Sequence, residues 1–362
     1  MIAANVAVQR PPDARLLIVD ALGATREIPR RDFVSVLRRG DIVVANDAAT
    51  MPASLAGRHV ATGAPIEVRL AAARSLDLRD EARFAAIVFG AGDHRTRTED
   101  RPLPPQLAIG DEIALGPIRA TVERLLEHPR LVELRFAGTR DEIWSAIAHH
   151  GRPIQYAYLP APLETWDVWT PIAAAPFAFE APSAGFTLDW RSLGELRQRG
   201  AGFATITLAA GTSSTGDPML DARLPFDEPY RIPTATASAI RRARLSGGRV
   251  IAIGTTVVRA LESAAARDAS IVAGDGIATL RLGASTPLRV VDAILSGTHD
   301  PGTSHFELLR AFAADAALAR MSEALERGRF RTHEFGDSIL IERSRDAFPR
   351  TMSPYELLRG LV

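Results

Sequence analysis

The chain contains no cysteine, which excludes disulfides, thiolate nucleophiles and cysteine-ligated zinc or iron–sulfur clusters. Lysine is absent as well, all 43 basic residues being arginine. That removes Schiff-base catalysis and the phosphate-binding lysine of a P-loop. The abundance of alanine points to genomic base composition as the origin of the bias. Acidic residues also number 43, so no global field draws the protein onto nucleic acid; the balance neither requires nor excludes an RNA substrate. Local pairs such as Arg30–Arg31, Arg38–Arg39 and Arg241–Arg242 carry planar donor forks suited to phosphate, and they read equally as solvated faces. No apolar run approaches the roughly 18 to 20 residues of a membrane span. The N-terminus lacks a basic start followed by an apolar core, so a cytoplasmic protein without membrane partners is expected, with a monomer favoured.

At 362 residues and 46% hydrophobic content, the chain is long enough for two cored domains. Residues 15–44 read as α/β: Leu16–Val19 is a short strand, Asp32 caps a helix carrying Phe33, Val36 and Leu37, and Gly40 ends it before Ile42–Val44. Between about 58 and 138 the pattern changes to short alternating segments. Residues 66–70, 118–122 and 131–136 are of this kind, separated by turn residues such as Gly90–Asp93 and Gly110–Asp111. A small antiparallel β-barrel is expected over 58–151, inserted in an α/β domain formed by 1–57 and 152–362. A helix from Thr139 to Gly151 leads back, and the proline-rich stretch 153–182 reads as a long irregular connection of the kind that is usually functional. Thr187 is expected to cap a helix reaching Gly200, followed by a strand over 204–208. A helix starts at Thr234, and Ser304 is expected to cap one long helix ending at Gly328.

The most informative stretch is 249–262, an apolar strand that runs through Gly254 into Thr255, Thr256 and a helix carrying Arg259 and Glu262. A glycine at this point permits a sharp turn, the threonines can cap, and the helix start can face an anion or polar ligand. Arg259 and Glu262, three apart, are spaced to pair. Asn46–Asp47 ends another apolar strand. Such residues face the ligand crevice of an open sheet or form an Asx turn, and the two readings are compatible. Glu228 and Tyr230 place a carboxylate and a phenol in one segment, as candidate base and hydrogen-bond donor. His299 precedes Asp300–Pro301 in a polar region before a helix start. Neither the adjacent His149–His150 nor His299 and His305, six apart, match a helical zinc spacing, so no metal is expected.

Asn46–Asp47 before Met51–Pro52–Ala53, Ala181–Pro182–Ser183–Ala184–Gly185, Glu228–Pro229–Tyr230, the Gly254 turn, His299–Asp300–Pro301 and Phe335–Gly336–Asp337–Ser338–Ile339–Leu340–Ile341 occur in that order. Together they resemble the S-adenosylmethionine:tRNA ribosyltransferase-isomerases of queuosine biosynthesis over nearly the whole chain. The resemblance implies an α/β domain with an inserted barrel. It also implies transfer and isomerisation of the ribosyl unit of S-adenosylmethionine onto a 7-aminomethyl-7-deazaguanine in tRNA, with adenine and methionine released and an epoxide formed. S-adenosylmethionine is then a co-substrate, no further cofactor is needed, and tRNA is the implied partner. Asp47, Glu228, Tyr230, His299 and Asp337 are the implied proton-transfer candidates, without a choice of base. Asn46, Ser183, Gly185, Gly254, Thr255, Thr256, Arg259 and Gly336 are the implied binding residues, with Arg259 a candidate for the methionyl carboxylate.

Three histidines of the family pattern are missing. Phe186–Thr187 follows Gly185 directly, Ala209–Ala210–Gly211 stands where histidine–valine–glycine is usual, and Phe226 replaces another. Histidine is the side chain best suited to proton transfer near neutral pH, so the chain reads as a divergent member. A paralogue acting on a small-molecule acceptor and a non-catalytic nucleoside-binding protein remain as alternatives. Whether His305 or His333 stands in for a lost imidazole is left open at this level.

Overall fold

The computed structural model describes residues 1–77, 82–266 and 268–344. Among them, nine strands form one sheet in the order Gly274–Ala278, Glu228–Ile232, Gly202–Leu208, Ile42–Asn46, Val250–Ile253, Ala293–Gly297, Ser338–Glu342, Arg15–Val19 and Thr25–Pro29. The four strands from Gly202–Leu208 to Ala293–Gly297 are parallel. Flanking them, Glu228–Ile232 runs antiparallel to Gly202–Leu208 and Ser338–Glu342 antiparallel to Ala293–Gly297. These two strands therefore begin at the edge where the parallel strands end, and that edge collects polar residues from both directions.

The central strands read as unbroken apolar runs because both of their faces are covered. Ile42 and Val44 pack in one core with Ile240, Val257, Leu261, Leu318 and Met321. Val43 and Ala45 pack in the opposite core with Phe33, Leu37 and Leu196. The helices Thr234–Leu245, Thr255–Ser263 and Asp315–Arg327 thus cover one face, while Trp190–Gln198 and the short turn Arg30–Val36 cover the other. At the opposite edge of the sheet, Arg249 ties the strands together, reaching both carboxylate oxygens of Asp41, Glu342 at 2.5 Å and the carbonyl of Val36.

The second unit is a closed barrel of six strands, in the order Leu131–Phe136, Arg83–Phe89, Pro65–Ala72, Ser54–His59, Glu112–Leu115 and Ile118–His128. Its first strand starts at Ser54, ahead of the point where alternation is first visible in the sequence. Leu55, Ile66, Val68, Leu70, Val122 and Leu134 fill the interior, and Ile143 and Ile147 of the helix Arg140–His150 pack against them. Thr139 and Glu142 close that helix with a reciprocal capping box.

Three local expectations are corrected. Asp32 lies inside a 3₁₀ turn that begins after Pro29 and makes no cap hydrogen bond. The helix expected to start at Thr187 starts at Trp190. Asp189 is its cap and accepts from the Ser192 N–H at 2.6 Å, while Thr187 belongs to a separate turn, Ser183–Thr187. The single helix from Ser304 to Gly328 is two helices, Ser304–Leu309 and Asp315–Arg327, and the first is capped by Thr303. Ala311, Phe312 and Ala313 between them are all buried. Three consecutive buried residues cannot share one stripe of a surface helix, so the chain leaves the helix to bury them. No helix among the described residues is long and apolar enough to cross a membrane.

Candidate functional site

A cavity of about 640 Å³ opens at the edge where the parallel strands end. This is the position at which open α/β sheets bind ligands. Ala210–Gly211, Gly254 and Gly297–Thr298 reach it from three of the parallel strands, Glu228 and Glu334 from the flanking antiparallel ones, and Arg97–Glu99 from the barrel.

Gly254 turns the chain at φ +94° and ψ 155°, a region open to glycine alone, and the helix Thr255–Ser263 starts directly behind it. Contrary to expectation, neither threonine caps: Gly254 occupies the cap position and there is no side-chain cap hydrogen bond. The first N–H groups of this helix therefore lack a side-chain acceptor while Thr255 and Thr256 line the cavity. Ser183 and Ala184 line the facing wall.

Arg259 does not pair with Glu262. Its guanidinium is ion-paired with Glu228 and donates to the carbonyls of Leu280, Phe226 and Ala278. Glu262 instead accepts from the N–H groups of Arg289, Val290 and Val291 at 2.7–3.0 Å. Pairing across the fold wins because a buried carboxylate gains more from several fixed donors than from one mobile side chain on its own helix. Glu228 also accepts from the Gly211 N–H at 2.9 Å. Burial raises its pKa against the opposing pull of Arg259. The donors of Arg259 are thus committed to protein acceptors, although the residue lines the cavity.

His299 donates to or accepts from Ser296 Oγ at 2.7 Å, and its ring centre lies 4.8 Å from that of His305. His333 stacks on Tyr158 with ring centres 4.0 Å apart. All three imidazoles line the cavity. Burial holds His299 well below the usual imidazole range, with His305 and His333 adding to the effect. Burial also takes His305 down to about 4 and lowers His333. The cavity wall therefore carries neutral imidazoles at neutral pH.

The irregular connection 153–182 supplies a further cluster. Glu180 accepts from the hydroxyls of Tyr156, Thr212 and Ser213 at 2.6–2.8 Å. No motif in the sequence marks Glu180, Tyr156 or Glu334 as site residues; the length of the connection is the signal that points to the first two.

Other expected residues lie outside the cavity lining. Asn46 uses its side chain to clamp the strand end, accepting from the Ala48 and Leu208 N–H groups and donating to the Leu208 carbonyl. Asp47 accepts from Thr207 Oγ1 at 2.7 Å. Tyr230 packs in the core below Gly276, where a side chain would collide with the phenol. Gly185 sits against Thr170. The buried carboxylate of Asp337 accepts from the backbone N–H groups of Arg15 and Arg331 and pairs with both guanidinium groups, and the Gly336 carbonyl accepts from Arg30. Among the described residues no three His, Asp or Glu side chains are grouped to hold a metal ion.

The chain matches the family model described as "Queuosine biosynthesis protein" over residues 1–341. It is 34% identical to the S-adenosylmethionine:tRNA ribosyltransferase-isomerase of Sorangium cellulosum, covering 92% of this chain and 94% of that protein. The protein of the same name from Geobacter sulfurreducens is 32% identical, with 94% and 96% covered. A solved structure of S-adenosylmethionine tRNA ribosyltransferase from Thermotoga maritima aligns at 21% identity and a TM-score of 0.49, over 94% of this chain and 96% of its own. On the match across the whole α/β framework and its barrel, the chain belongs to the queuosine biosynthesis protein family.

Proposed function

We propose that this protein is an S-adenosylmethionine-dependent tRNA ribosyltransferase-isomerase. In the proposed reaction it passes the ribosyl unit of S-adenosylmethionine to the aminomethyl nitrogen of a 7-deazaguanine in tRNA. Adenine and methionine leave and the ribosyl unit closes to an epoxide. The names of the relatives support the reaction class. On this chain the observation that carries it is the sharing of one cavity by the open helix start at Gly254–Thr256 and by His299, His305 and His333.

The chemistry asks little of the protein beyond position and proton transfer. A sulfonium acidifies the carbons next to it and supplies its own leaving group. A neutral imidazole accepts a proton, and burial keeps His299 in that form. Its neighbour His305 lines the same cavity, with ring centres 4.8 Å apart. The two imidazoles provide proton-transfer capacity in a chain that lacks three of the family's histidines, and His299 is the group we assign as base. The helix start takes polar or anionic parts of the donor.

Incubation with S-adenosylmethionine, alone and with tRNA carrying the aminomethyl-deazaguanine, followed by chromatography of adenine and methionine, tests the assignment. Release only with tRNA is expected. Release without tRNA would replace the acceptor by a small molecule, and tight binding without release would make the protein a nucleoside-binding relative.

A further inference from the structure

Glu180 differs from the other carboxylates on the cavity wall. Glu228 is paired with Arg259 and Glu99 with Arg97, while Asp300 is exposed to screening by water. Glu334 is buried away from any cation that pairs with it. Glu180 is half-buried on the wall of the 640 Å³ cavity, and its side-chain partners are three neutral hydroxyls, those of Tyr156, Thr212 and Ser213. Among the described residues no guanidinium or imidazole forms an ion pair with it. Arg69, 5.9 Å from the centre of the Tyr156 ring, is itself paired with Glu67 at 2.7 Å.

The cluster is held firmly. The Gly211 N–H is bound by Glu228, and a Cβ at Gly211 would lie 2.9 Å from the Ala71 carbonyl oxygen. Behind Ser213, Thr215 gives its N–H and its hydroxyl to Asp221 at 2.7 and 2.6 Å. Gly216, at φ +65°, lies so close to the barrel that a Cβ would come within 2.5 Å of the Glu99 nitrogen. Thr212 and Ser213 are thus fixed between sheet and barrel, directly after Ala209–Ala210–Gly211, the segment that lacks a family histidine.

The direction of the hydrogen bonds decides what such a cluster takes. Glu180 Oε1 accepts from Tyr156 and Thr212, whereas Oε2 accepts from Ser213 alone and keeps a free acceptor position. A hydroxyl that has given its one proton to the carboxylate offers a ligand only lone pairs. The wall here is therefore negative and rich in acceptors, which suits a group that carries positive charge and several N–H donors. A primary ammonium has both; a sulfonium has the charge without the donors. Two primary amines enter the proposed reaction. The aminomethyl nitrogen has to be neutral to attack, and acceptors that stabilise its charged form would oppose that step. The α-ammonium at the methionyl end of the donor takes no part and keeps its charge throughout.

We propose that Glu180, with Thr212 and Ser213, forms an ammonium subsite that holds the α-ammonium of S-adenosylmethionine. This rests on S-adenosylmethionine being the donor, as proposed above.

Calorimetry on the full chain tests the subsite without requiring turnover, with S-adenosylmethionine and an analogue in which hydrogen replaces the α-amino group as probes. Wild type is expected to bind the analogue about tenfold more weakly, the loss of one charge-assisted contact. Glu180→Gln, which keeps an oxygen for the hydroxyls and removes the charge, should bind S-adenosylmethionine about tenfold more weakly and the analogue as wild type does. Its affinity for tRNA carrying the aminomethyl-deazaguanine should be unchanged. Melting curves establish that the variant is folded, and the wild-type comparison of the two nucleosides needs no variant. Equal binding of both nucleosides by wild type, an equal loss for both in Glu180→Gln, or a loss confined to the tRNA overturns the subsite and leaves the reaction class standing. Failure of wild type to bind S-adenosylmethionine at all overturns both.

Discussion

Two glutamates reach one cavity from opposite sides of the parallel core, and burial raises the pKa of each. Glu228 is answered at every turn, by Arg259 and by the Gly211 N–H. Among the described residues, nothing partners one oxygen of Glu334. The same residue type at the same edge therefore meets two environments: one carboxylate belongs to the framework that shapes the cavity, and the other keeps an oxygen that the fold leaves open. The largest effect should come from breaking the satisfied pair. Arg259→Leu leaves a buried carboxylate uncompensated, and urea unfolding should show a loss of about 3–5 kcal/mol. Adding Glu228→Gln should restore more than half of it. If the single variant melts like wild type, Glu228 is not held as described and the contrast with Glu334 collapses.

His299→Ala should cost less in free energy and far more in function. Loss of a positioned base reduces turnover by roughly a hundredfold or more, read as adenine release under saturating substrates, with the melting temperature little changed. Tyr230→Phe provides the internal reference. That phenol lies in the core beneath Gly276 and not on the cavity, so turnover should stay within about twofold of wild type.

Stability against pH separates the ionisable groups further. His305 is held near 4 when folded, so between about 4 and its ordinary value near 6.5 the unfolded chain binds the proton more readily. Its contribution is present above that window and is lost as pH falls through it. Glu334, held near 7, has the opposite slope: the folded chain binds the proton more readily between about 4.5 and 7, so stability drops as pH rises through that window. His305→Asn should flatten the acid side of the profile and Glu334→Gln the neutral side, as measured by thermal melting across pH 4 to 8. Parallel profiles for wild type and both variants would remove these two groups as the source of the slopes.

Legibility in the sequence followed the range of the interactions. The strand into Gly254, the alternating barrel segments and the capped helix after Thr139 depend on neighbours a few residues apart, and each is present in the fold. The partner of Arg259 lies 31 residues away, and only the antiparallel return of the strand Glu228–Ile232 brings it there. The expected Arg259–Glu262 pair was a sound local choice that tertiary contacts outbid. The break after Leu309 was hidden for a similar reason, since Phe312 reads as one more residue of a helical stripe until its neighbours are also seen to be buried. Within the site, His299 was legible through its motif, whereas the convergence of His305 and His333 upon it needed the helix start after Thr303 and the turn before Ser338 to meet. Glu334 could not be found by any local pattern, because its informative property is the absence of a partner.

The smallest expected effect is also the one that separates the two glutamates most cleanly. A hydroxyl that is buried without a partner costs folding free energy, whereas a satisfied one contributes to it. Tyr158→Phe removes the unpartnered Oη while leaving the ring stacked on His333, so the unliganded protein should gain about 0.5–1 kcal/mol in urea unfolding. Glu228→Gln should lower stability, its carboxylate being satisfied within the fold. A Tyr158→Phe protein that is less stable than wild type when unliganded would mean that the phenol is already engaged within the fold, and the distinction between framework and open acceptor would then have to be drawn at Glu334 alone.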